Sequence, residues 1–486
     1  MKRTKKILAL FLAAMMTTLS FSGCASEPSS SSSASQENTV KEVTFCESWD
    51  FEGGFFSLQA PNVTNGTYGL YYFLTNFYET LVRYEDGEIV PGLAERWEVS
   101  SDGLTYTFYL KQGIKFSDGT DFNAEVVKIN LDNIPGILAE FNGGWGLTST
   151  LLDEVTVVDE YTVAVKLTTP YYGALQDFAV PMPMSMMSPA GYNEDGSLAE
   201  ITKTKTLGTG PYMYDGQKEN ETYTFVRNPY FDRGESDVDV FHVKVIPDND
   251  AKVLALRNGE IDMIVGQANL TYNTFEELST APGFTAVSSD ATIQSRTMGF
   301  NVSHAPFNDP AVRLAANHAI DTQSISTNIF YGVETSADSV LDKELPYCDV
   351  DTGTYEYDVE KAKQILEDAG WVDSDGDGIR EKDGVKLSGN LLYATDQASL
   401  GDLSSVLAAQ LKEVVFEITP VGKEQMVYFQ DISNGDFDLA IAITNAIPSD
   451  PYLLISRCLT NTVIDNYLAQ GLAGMENADE LINSLN

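Results

Sequence analysis

The sequence is poor in basic side chains. Its 486 residues include 30 Lys and Arg against 71 Asp and Glu, which gives a formal net charge of −41. Nucleic-acid binding depends on clustered Lys and Arg that release counterions, so this charge argues against nucleic acid as a partner. It equally disfavours docking on an anionic membrane through surface charge. The composition favours neutral or cationic small partners.

Histidines are few, and the common catalytic motifs are missing. His242, His304 and His318 do not form the H-x-x-x-H or H-E-x-x-H spacing that a zinc hydrolase needs. The chain also lacks a G-x-S-x-G elbow and a G-x-x-x-x-G-K-[ST] loop. A glycosidase needs two carboxylates in one cleft, and 71 acidic residues single out no pair. No cofactor is predicted, and a cell-surface hydrolase stays open as an alternative.

Cysteine is scarce as well. Besides Cys24 the chain has Cys46, Cys348 and Cys458, and none of them forms a C-x-x-C pair. Three cysteines cannot all pair with one another inside one chain. We therefore expect buried thiols at these positions, with one disulfide as the alternative.

Long apolar runs are missing after the first residues, which resemble an export signal. A basic start, residues 2–6, precedes an apolar stretch, residues 7–19, that is too short to span a bilayer. The following Phe21-Ser22-Gly23-Cys24 resembles a bacterial lipobox, in which the cysteine thiol receives a diacylglycerol. We expect a signal peptide over 1–23, lipidated Cys24 and a flexible Ser-rich tether over 24–40. Secretion with cleavage near Ala25 is the alternative.

The remaining chain alternates between strand and helix periods. Leu104, Tyr106, Phe108 and Leu110 alternate with polar residues and predict a strand with one buried face. A hairpin is predicted around Asp159-Glu160, between 155–158 and 162–167. Apolar residues at helical spacing predict three helices, one capped by Asn308 with Pro310 in its first turn, one ended by Gly370 and one around Leu403, Val406, Leu407 and Leu411. Mixed strands and helices predict an α/β fold.

Two short segments suggest special chemistry. The run from Asp373 through Asp375 and Asp377 begins like a D-x-D-x-D-G calcium loop, but Gly384 stands where the bidentate glutamate belongs. An ordinary Asp- and Gly-rich turn is the favoured interpretation, with a weak Ca²⁺ site as the alternative. Residues 181–187 hold four of the twelve methionines, including Met182 and Met184. Core packing, an apolar cleft wall and soft-metal ligation all remain open for them.

Many separated motifs in a fixed order resemble one family over roughly residues 45–460. The longest lies in residues 91–130 and includes Pro91-Gly92-Leu93-Ala94 and Phe116-Ser117-Asp118-Gly119. Further matches are Gly208-Thr209-Gly210-Pro211-Tyr212, Arg227-Asn228-Pro229-Tyr230-Phe231, Ile246-Pro247-Asp248, Gly259-Glu260-Ile261-Asp262, Phe300-Asn301, Ala319-Ile320-Asp321 and Gly370-Trp371. The pattern resembles solute-binding family 5, the extracytoplasmic receptors of peptide and nickel ABC importers.

This resemblance implies an α/β periplasmic-binding-protein fold of type II with two lobes. The first lobe would cover 41–288 with an inserted subdomain at about 65–200, and the second 289–473. Residues 474–486 would be a short tail in which the return to the first lobe is truncated. It further implies a monomeric binding protein, not an enzyme, that is held outside the cell membrane by its lipid. The expected partners are a small-molecule or peptide ligand and permease subunits with cytoplasmic ATPases; a ligand-sensing lipoprotein is a further alternative.

Within the family, the nickel-binding group is the most similar, and the differences from it concern the ligand. Trp145 matches a cleft tryptophan of that group, whereas Met182 and Ser185 replace arginines that hold a chelator's carboxylates. Asn445 and Ser449 replace a tryptophan and a tyrosine near Asp450-Pro451. The candidate ligand-binding residues are Trp145, Trp49, Tyr71, Met182, Met184, Asn445 and Ser449. The resemblance thus implies a short peptide as the first choice of ligand and a nickel complex as the second.

Overall fold

The computed structural model describes most of the chain after the predicted tether. The described residues are 40–51, 54–56, 58, 70–139, 142–218, 222–234, 236–266, 269–289, 294–343, 345, 348–395, 397, 399–444, 454–455, 475 and 477–484. The predicted signal peptide, Cys24, nearly all of the tether and Cys458 therefore lie outside them. Residues 41–486 form one compact unit.

Strands and helices alternate along the described chain. The strands are β1 (Glu42–Glu47), β2 (Val82–Glu85), β3 (Glu88–Pro91), β4 (Ala94–Val99), β5 (Thr105–Leu110), β6 (Leu152–Asp159), β7 (Thr162–Leu167), β8 (Tyr212–Lys218), β9 (Thr222–Arg227), β10 (Val240–Val245), β11 (Met263–Ile264), β12 (Arg296–Phe300), β13 (Glu381–Lys382), β14 (Val385–Lys386), β15 (Ser388–Ala394), β16 (Glu417–Lys423) and β17 (Leu439–Ile443). The α-helices are α1 (Ala124–Leu138), α2 (Thr148–Leu151), α3 (Ala174–Phe178), α4 (Pro181–Met184), α5 (Asn249–Asn258), α6 (Tyr272–Thr280), α7 (Pro310–Ala319), α8 (Thr322–Asn328), α9 (Val359–Asp368), α10 (Leu400–Glu413), α11 (Gln425–Asn434) and α12 (Ala478–Asn483).

Three larger sheets organise these elements. The first has the order β11-β1-β10-β9-β8, and β1 runs parallel to both β10 and β11. A second sheet, β4-β5-β7-β6, is antiparallel throughout and lies between β1 and β8 in the chain. The third has the order β12-β17-β15-β16, in which β15 runs parallel to β16 and β17. The α/β prediction is therefore confirmed.

Two large apolar cores accompany these sheets. The first core joins the first two sheets, since Phe241 and Val243 of one sheet and Phe108 and Val163 of the other belong to it. The second core begins at Phe307 and packs α7, α9 and α10 against the third sheet. Buried apolar surface drives each assembly at roughly 25 cal/mol per Å². The separate cores agree with two lobes, while the lobe boundaries proposed from the sequence stay a prediction.

The chain contacts the first core again after the third sheet. Ile455 packs against the first core, and Ile482 of α12 is buried within it at 5% exposure. Ile482 within the predicted tail thus contributes to the first core, and the truncated return of the chain to the first lobe stays a prediction. Among the helices described, none has the length and apolar composition that a membrane span requires.

The sequence periods predicted several elements correctly. Strand β5 buries every second residue, and β6 and β7 pair as the expected antiparallel hairpin. Helix α9 ends just before Gly370, and α10 buries Leu403, Leu407 and Leu411. Helix α7 has Pro310 at its first position, as expected.

The predicted cap of α7 was wrong by one residue. Asp309, not Asn308, is the N-cap, and its Oδ1 accepts the N–H of Ala311 at 2.9 Å. A capping oxygen has to reach the second or third N–H of the helix, and the residue directly before Pro310 is the one placed to do so. The other carboxylate oxygen of Asp309 accepts Trp371 Nε1 and Lys382 Nζ, each at 3.0 Å. Asp309 thus also ties the Gly370-Trp371 motif to α7.

The Gly208-Thr209-Gly210 motif brings two segments of backbone into close contact. A Cβ at Gly208 would lie 2.0 Å from the carbonyl oxygen of Phe77, and one at Gly210 would lie 2.6 Å from that of Asn76. Only glycine allows this contact. The N–H of Gly210 donates to the Phe77 oxygen at 2.9 Å, so the motif fixes the segment before β2.

Candidate ligand-binding site

The candidate site begins at the carboxyl end of β1. Ligands of α/β proteins bind beyond the carboxyl ends of parallel strands, and β1 is parallel to the strand on each side. Its last residues, Cys46 and Glu47, are both fully buried. Ser48 and the half-buried Trp49 follow directly. Trp49, a predicted ligand-binding residue, therefore lies just beyond the buried end of β1.

A buried polar network surrounds this strand end. Lys252 of α5 donates through Nζ to the carbonyl oxygen of Asn269 at 2.7 Å, and also to Ser48 Oγ. Glu47 Oε1 accepts Asn269 Nδ2 at 3.0 Å and the N–H of Ser48 at 2.6 Å. Lys252 and Asn269 are each 2% exposed and Glu47 is 0% exposed. We call Lys252, Glu47, Ser48 and Asn269 the Lys252 network.

Burial sets the charges in this network. It raises the pKa of Glu47 to about 7, although Ser48, Asn269 and Lys252 each oppose the shift. It also lowers the pKa of Lys252. Glu47 Oε2 is buried and, within the part of the chain that the structure describes, has no hydrogen-bond partner. The network therefore contains a carboxyl group that changes charge near neutral pH.

The Lys252 network lies on the chain's passage between the two cores. Strand β11 ends at Ile264 in the first sheet, whereas Tyr272 at the start of α6 packs against Phe330 of the second core with 5.0 Å between ring centroids. We call the described residues of this passage, 265–266 and 269–271, the crossing segment. Asn249 of α5 accepts the N–H of Thr271 through Oδ1 at 3.1 Å. Asn269 and Thr271 thus attach the crossing segment to the first sheet and to α5.

An aromatic pair adjoins the crossing segment. The rings of Tyr71 and Tyr72 meet edge to face with centroids 5.7 Å apart. A Cβ at Gly266 would lie 2.5 Å from the Tyr72 ring, and its φ of +105° also requires glycine. Tyr71 is 56% exposed, yet surrounding protein raises the pKa of its phenol. An exposed aromatic side chain is available for contact with a ligand, and the ligand-binding role of Tyr71 stays a prediction.

Trp145 occupies a separate, well-supported loop. It is half-buried and packs against the first core. The buried carboxylate of Asp177 accepts the N–H of Thr148 at 2.8 Å and leaves no room for a side chain at Gly146. Among the described contacts, none joins Trp145 to Trp49 or Tyr71. Its role as a ligand contact stays a prediction.

The methionines of residues 181–187 are buried. Met184 is 0% exposed and belongs to the first core, and Met182 is 3% exposed. Of the interpretations that the sequence left open, the structure favours packing for Met184 and gives neither side chain an exposed surface. Ser185 is buried as well, at 1% exposure. Ligand contact through Met182 or Met184 would require this region to open, and it stays a prediction.

Asn445, Ser449 and Asp450-Pro451 lie outside the described residues, but the start of their segment is described. Thr444 directly follows β17 and is 2% exposed. Its N–H donates to the carbonyl oxygen of Ser295 at 2.9 Å, and its Oγ1 accepts the N–H of Ser295 at 2.8 Å. The segment therefore starts beside the first residue of β12, Arg296.

A charged cluster that the sequence analysis did not predict lies at the start of β12. Arg296 forms a two-point ion pair with Glu334, with Nε to Oε2 at 3.0 Å and Nη2 to Oε1 at 2.8 Å. The Tyr272 hydroxyl donates to the same carboxylate. These residues lie 24 to 62 positions apart in the chain, so the local spacing of residues could not predict the cluster. The same holds for the Lys252 network. The pair ties the start of α6 to the third sheet.

The acidic loop behaves as a turn in this structure. Asp373, Asp375 and Asp377 are exposed, with one oxygen of each lying within 4.8 Å of the others. The Asp373 carboxylate accepts the N–H of Gly376 at 2.7 Å, and Lys386 pairs with Asp377. The hydrogen bond from Lys386 holds the pKa of Asp377 below its usual value. A lysine thus already supplies positive charge to the loop, and the weak Ca²⁺ site stays a prediction.

The described cysteines are free thiols. Cys46 is buried and Cys348 is half-buried, and neither forms a disulfide. Burial raises the pKa of the Cys46 thiol to about 11. Such a thiol is unreactive near neutral pH.

A cavity of about 380 Å³ lies apart from this site, in the second lobe. Four of its lining side chains contact one another in pairs: His304 Nε2 lies 2.9 Å from Asp438 Oδ1, and Lys423 Nζ lies 3.2 Å from Asp431 Oδ2.

Comparison with known proteins agrees with these features. Residues 88–466 match the model of the bacterial extracellular solute-binding proteins, family 5. The chain is 29% identical to the nickel-binding periplasmic protein of Escherichia coli over 414 residues, which cover 84% of this chain and 77% of that protein. It is 28% identical to the oligopeptide-binding protein AppA of Bacillus subtilis over 462 residues, covering 91% and 81%.

Solved structures show the same similarity. NikA from Brucella suis in complex with Fe(III)-EDTA has a TM-score of 0.82 and 28% identity, with 91% of this chain and 86% of that chain covered. AppA from Bacillus subtilis in complex with a nonapeptide has a TM-score of 0.71 at 23% identity, covering 92% and 87%, and so shows the fold alone. The two-lobed α/β fold of type II predicted from the motifs is confirmed. The chain belongs to the bacterial extracellular solute-binding proteins of family 5.

Proposed function

We propose that this protein is the ligand-binding component of an ABC importer and passes a small ligand, chemically unchanged, to permease subunits that work with cytoplasmic ATPases. The observation that carries the proposal is the crossing segment, which joins two separate cores beside the accessible Tyr71 and the half-buried Trp49. A hinge next to such a surface lets a ligand favour a closed arrangement of the lobes by its differential affinity alone. Similarity to binding proteins supports this function rather than the hydrolase.

The ligand we propose first is a short peptide held largely through its backbone. Where the nickel-binding group uses arginines, this chain has the uncharged and buried Met182 and Ser185. Capture of an anionic chelator through those positions therefore lacks its cations. A net charge of −41 disfavours anionic ligands and so favours neutral or cationic ones. A nickel complex is the second candidate, which the similarity to the Escherichia coli nickel-binding protein favours.

We also propose that the mature protein is a monomer anchored outside the cell membrane by lipid on Cys24. The lipobox-like sequence before Cys24 and the Ser-rich residues that follow support this anchor. Replacement of Cys24 by Ser should release the protein from washed membranes into the soluble fraction. Retention of the Cys24→Ser protein in the membrane would refute the anchor.

A ligand screen tests the binding function. The purified protein is heated with an equimolar tripeptide mixture, nickel chloride, nickel with L-histidine, and cello- and chito-oligosaccharides. A ligand at 100 times its Kd stabilises the folded state by about 2.7 kcal/mol, so at least one of the first three additions should raise the melting temperature measurably. Mass spectrometry of the recovered additions should show them unchanged. No shift with well-folded protein, or conversion of any addition into a product, would refute the proposal.

A further inference from the structure

We propose that the Lys252 network is a positioning device for ligand binding, which rests on the function proposed above. It fixes the crossing segment to the end of β1 and thereby holds Trp49 and the Tyr71–Tyr72 pair where a ligand meets them. Lys252, Glu47, Ser48 and Asn269 are then positioning residues, because they act on the ligand through other side chains.

The network lies where the chain passes from the first core to the second. The crossing segment enters the second core at Tyr272, so movement of the second lobe reaches the first lobe through it. Asn269 is held through both its side chain and its backbone. Its side chain donates to Glu47 Oε1, and its carbonyl oxygen accepts a hydrogen bond from Lys252 Nζ. A hinge needs one end that stays in place, and these hydrogen bonds hold the crossing segment to the first lobe.

Burying the Lys252 network lowers the stability of the fold. A buried polar or charged group loses its contacts with water, and its hydrogen bonds offset only part of that cost. Here the cost is larger, since Glu47 Oε2 is buried without a partner among the described residues. Four polar side chains in this position are therefore poorly explained by stability. They do fix geometry, because each hydrogen bond works only over a narrow range of distance and angle.

The Lys252 network supports the aromatic side chains on both sides of it. Ser48, which accepts a hydrogen bond from Lys252, directly precedes Trp49. On the other side, Gly266 of the crossing segment lies against the Tyr72 ring, which contacts Tyr71. A shift of the crossing segment therefore moves the supports of both groups of aromatic side chains.

Hydrogen exchange of the full chain without ligand tests the anchor directly. In Lys252→Met, the amides of residues 263–272 should exchange at least ten times faster than in the parent protein, while those of α7 in the second core should be unchanged. Arg257→Met is the matched control: Arg257 lies on the same helix, and its exposed ion pair with Glu277 also joins α5 to α6. It should leave exchange over 263–272 unchanged.

Ser48→Ala is the second variant, since Lys252→Met can unfold. It removes one acceptor of Lys252 and the hydrogen bond from Ser48 Oγ to Asn269, and should give a smaller increase confined to 263–272. Unchanged exchange over 263–272 in Ser48→Ala, or an increase of equal size in α7, would overturn the inference. So would an equal increase in Arg257→Met.

Binding is then measured with two probes, the tripeptide mixture and nickel chloride. The probe that raises the melting temperature of the parent protein should give less than half that shift in Ser48→Ala and the full shift in Arg257→Met. A full shift in Ser48→Ala would overturn the positioning role. If neither probe acts on the parent protein, the proposed function fails for them, and the exchange experiment still decides whether the network anchors the crossing segment.

Discussion

Replacing Glu47 by Gln should change how the stability of this protein depends on pH. Glu47 is 0% exposed, and burial raises its pKa to about 7 from 4.5. Between these two values the unfolded chain has lost the Glu47 proton, but the folded protein keeps it. The folded state therefore binds more protons, so its free energy of unfolding falls as the pH rises through this window. Glutamine does not titrate and removes this contribution.

The size of the effect follows from the shift. One pKa unit corresponds to about 1.4 kcal/mol, so the contribution of Glu47 should fall by roughly 2 kcal/mol between pH 5 and pH 8. Lys252 on α5 and Asn269 face Glu47 Oε1 across the network, and Cys46 precedes it. Cys46, with its pKa raised to about 11, is not expected to titrate in this window.

Urea unfolding of both proteins at pH 5, 6, 7 and 8 measures the difference. The Glu47→Gln protein should gain about 2 kcal/mol relative to the parent protein as the pH rises from 5 to 8. All other titrating groups are shared by the two proteins, so their contributions cancel in the comparison. Stability profiles that stay parallel over this range would refute the argument that burial keeps Glu47 protonated.

Three further substitutions test other parts of the structure. Gly208→Ala places a Cβ 2.0 Å from a backbone oxygen, so it should lower the free energy of unfolding by at least about 3 kcal/mol, as measured by thermal melts. Gly234→Ala is the control, because its Cβ would lie 3.7 Å from the nearest atom and the change should be nearly neutral. Asp309→Ala removes the cap of α7 and should cost about 2–4 kcal/mol in urea unfolding, against less than about 0.5 kcal/mol for Asn308→Ala. Tyr71→Ala should leave the melting temperature within about 2 °C but weaken binding of the active probe about tenfold by calorimetry, because this side chain is accessible.

Local periodicity predicted the parts of the fold in which one face of an element is buried. Strand β5 buries Tyr106, Phe108 and Leu110, and alternation of apolar and polar residues reports this directly. Caps are harder to predict, because Asn308 and Asp309 are both good capping residues and neighbours in the sequence. Only the position of Pro310 as the first helical residue distinguishes them.

The candidate site was predicted less completely, for a different reason. Trp49 and Tyr71 could be singled out as aromatic residues, but the sequence alone could not show what supports them. Lys252 looks like an ordinary helix residue one turn after Asp248, and only the fold buries it. The bonds that join it to Ser48 and Asn269 span 204 and 17 residues, and the bond from Asn269 to Glu47 spans 222. Contacts of this length follow from the order of strands in the first sheet.

The methionines of residues 181–187 could not be interpreted from the sequence for a similar physical reason. An apolar side chain in a cleft wall and one in a core have the same composition and spacing, and the difference lies only in what covers them. Met184 is covered by the first core, which combines side chains from two sheets that the chain forms far apart in sequence. For a binding protein this has a consequence for ligand choice. Side chains that the core covers cannot contact a ligand, so under the proposed function we expect ligand selection to depend on the accessible aromatic residues and on the network that supports them.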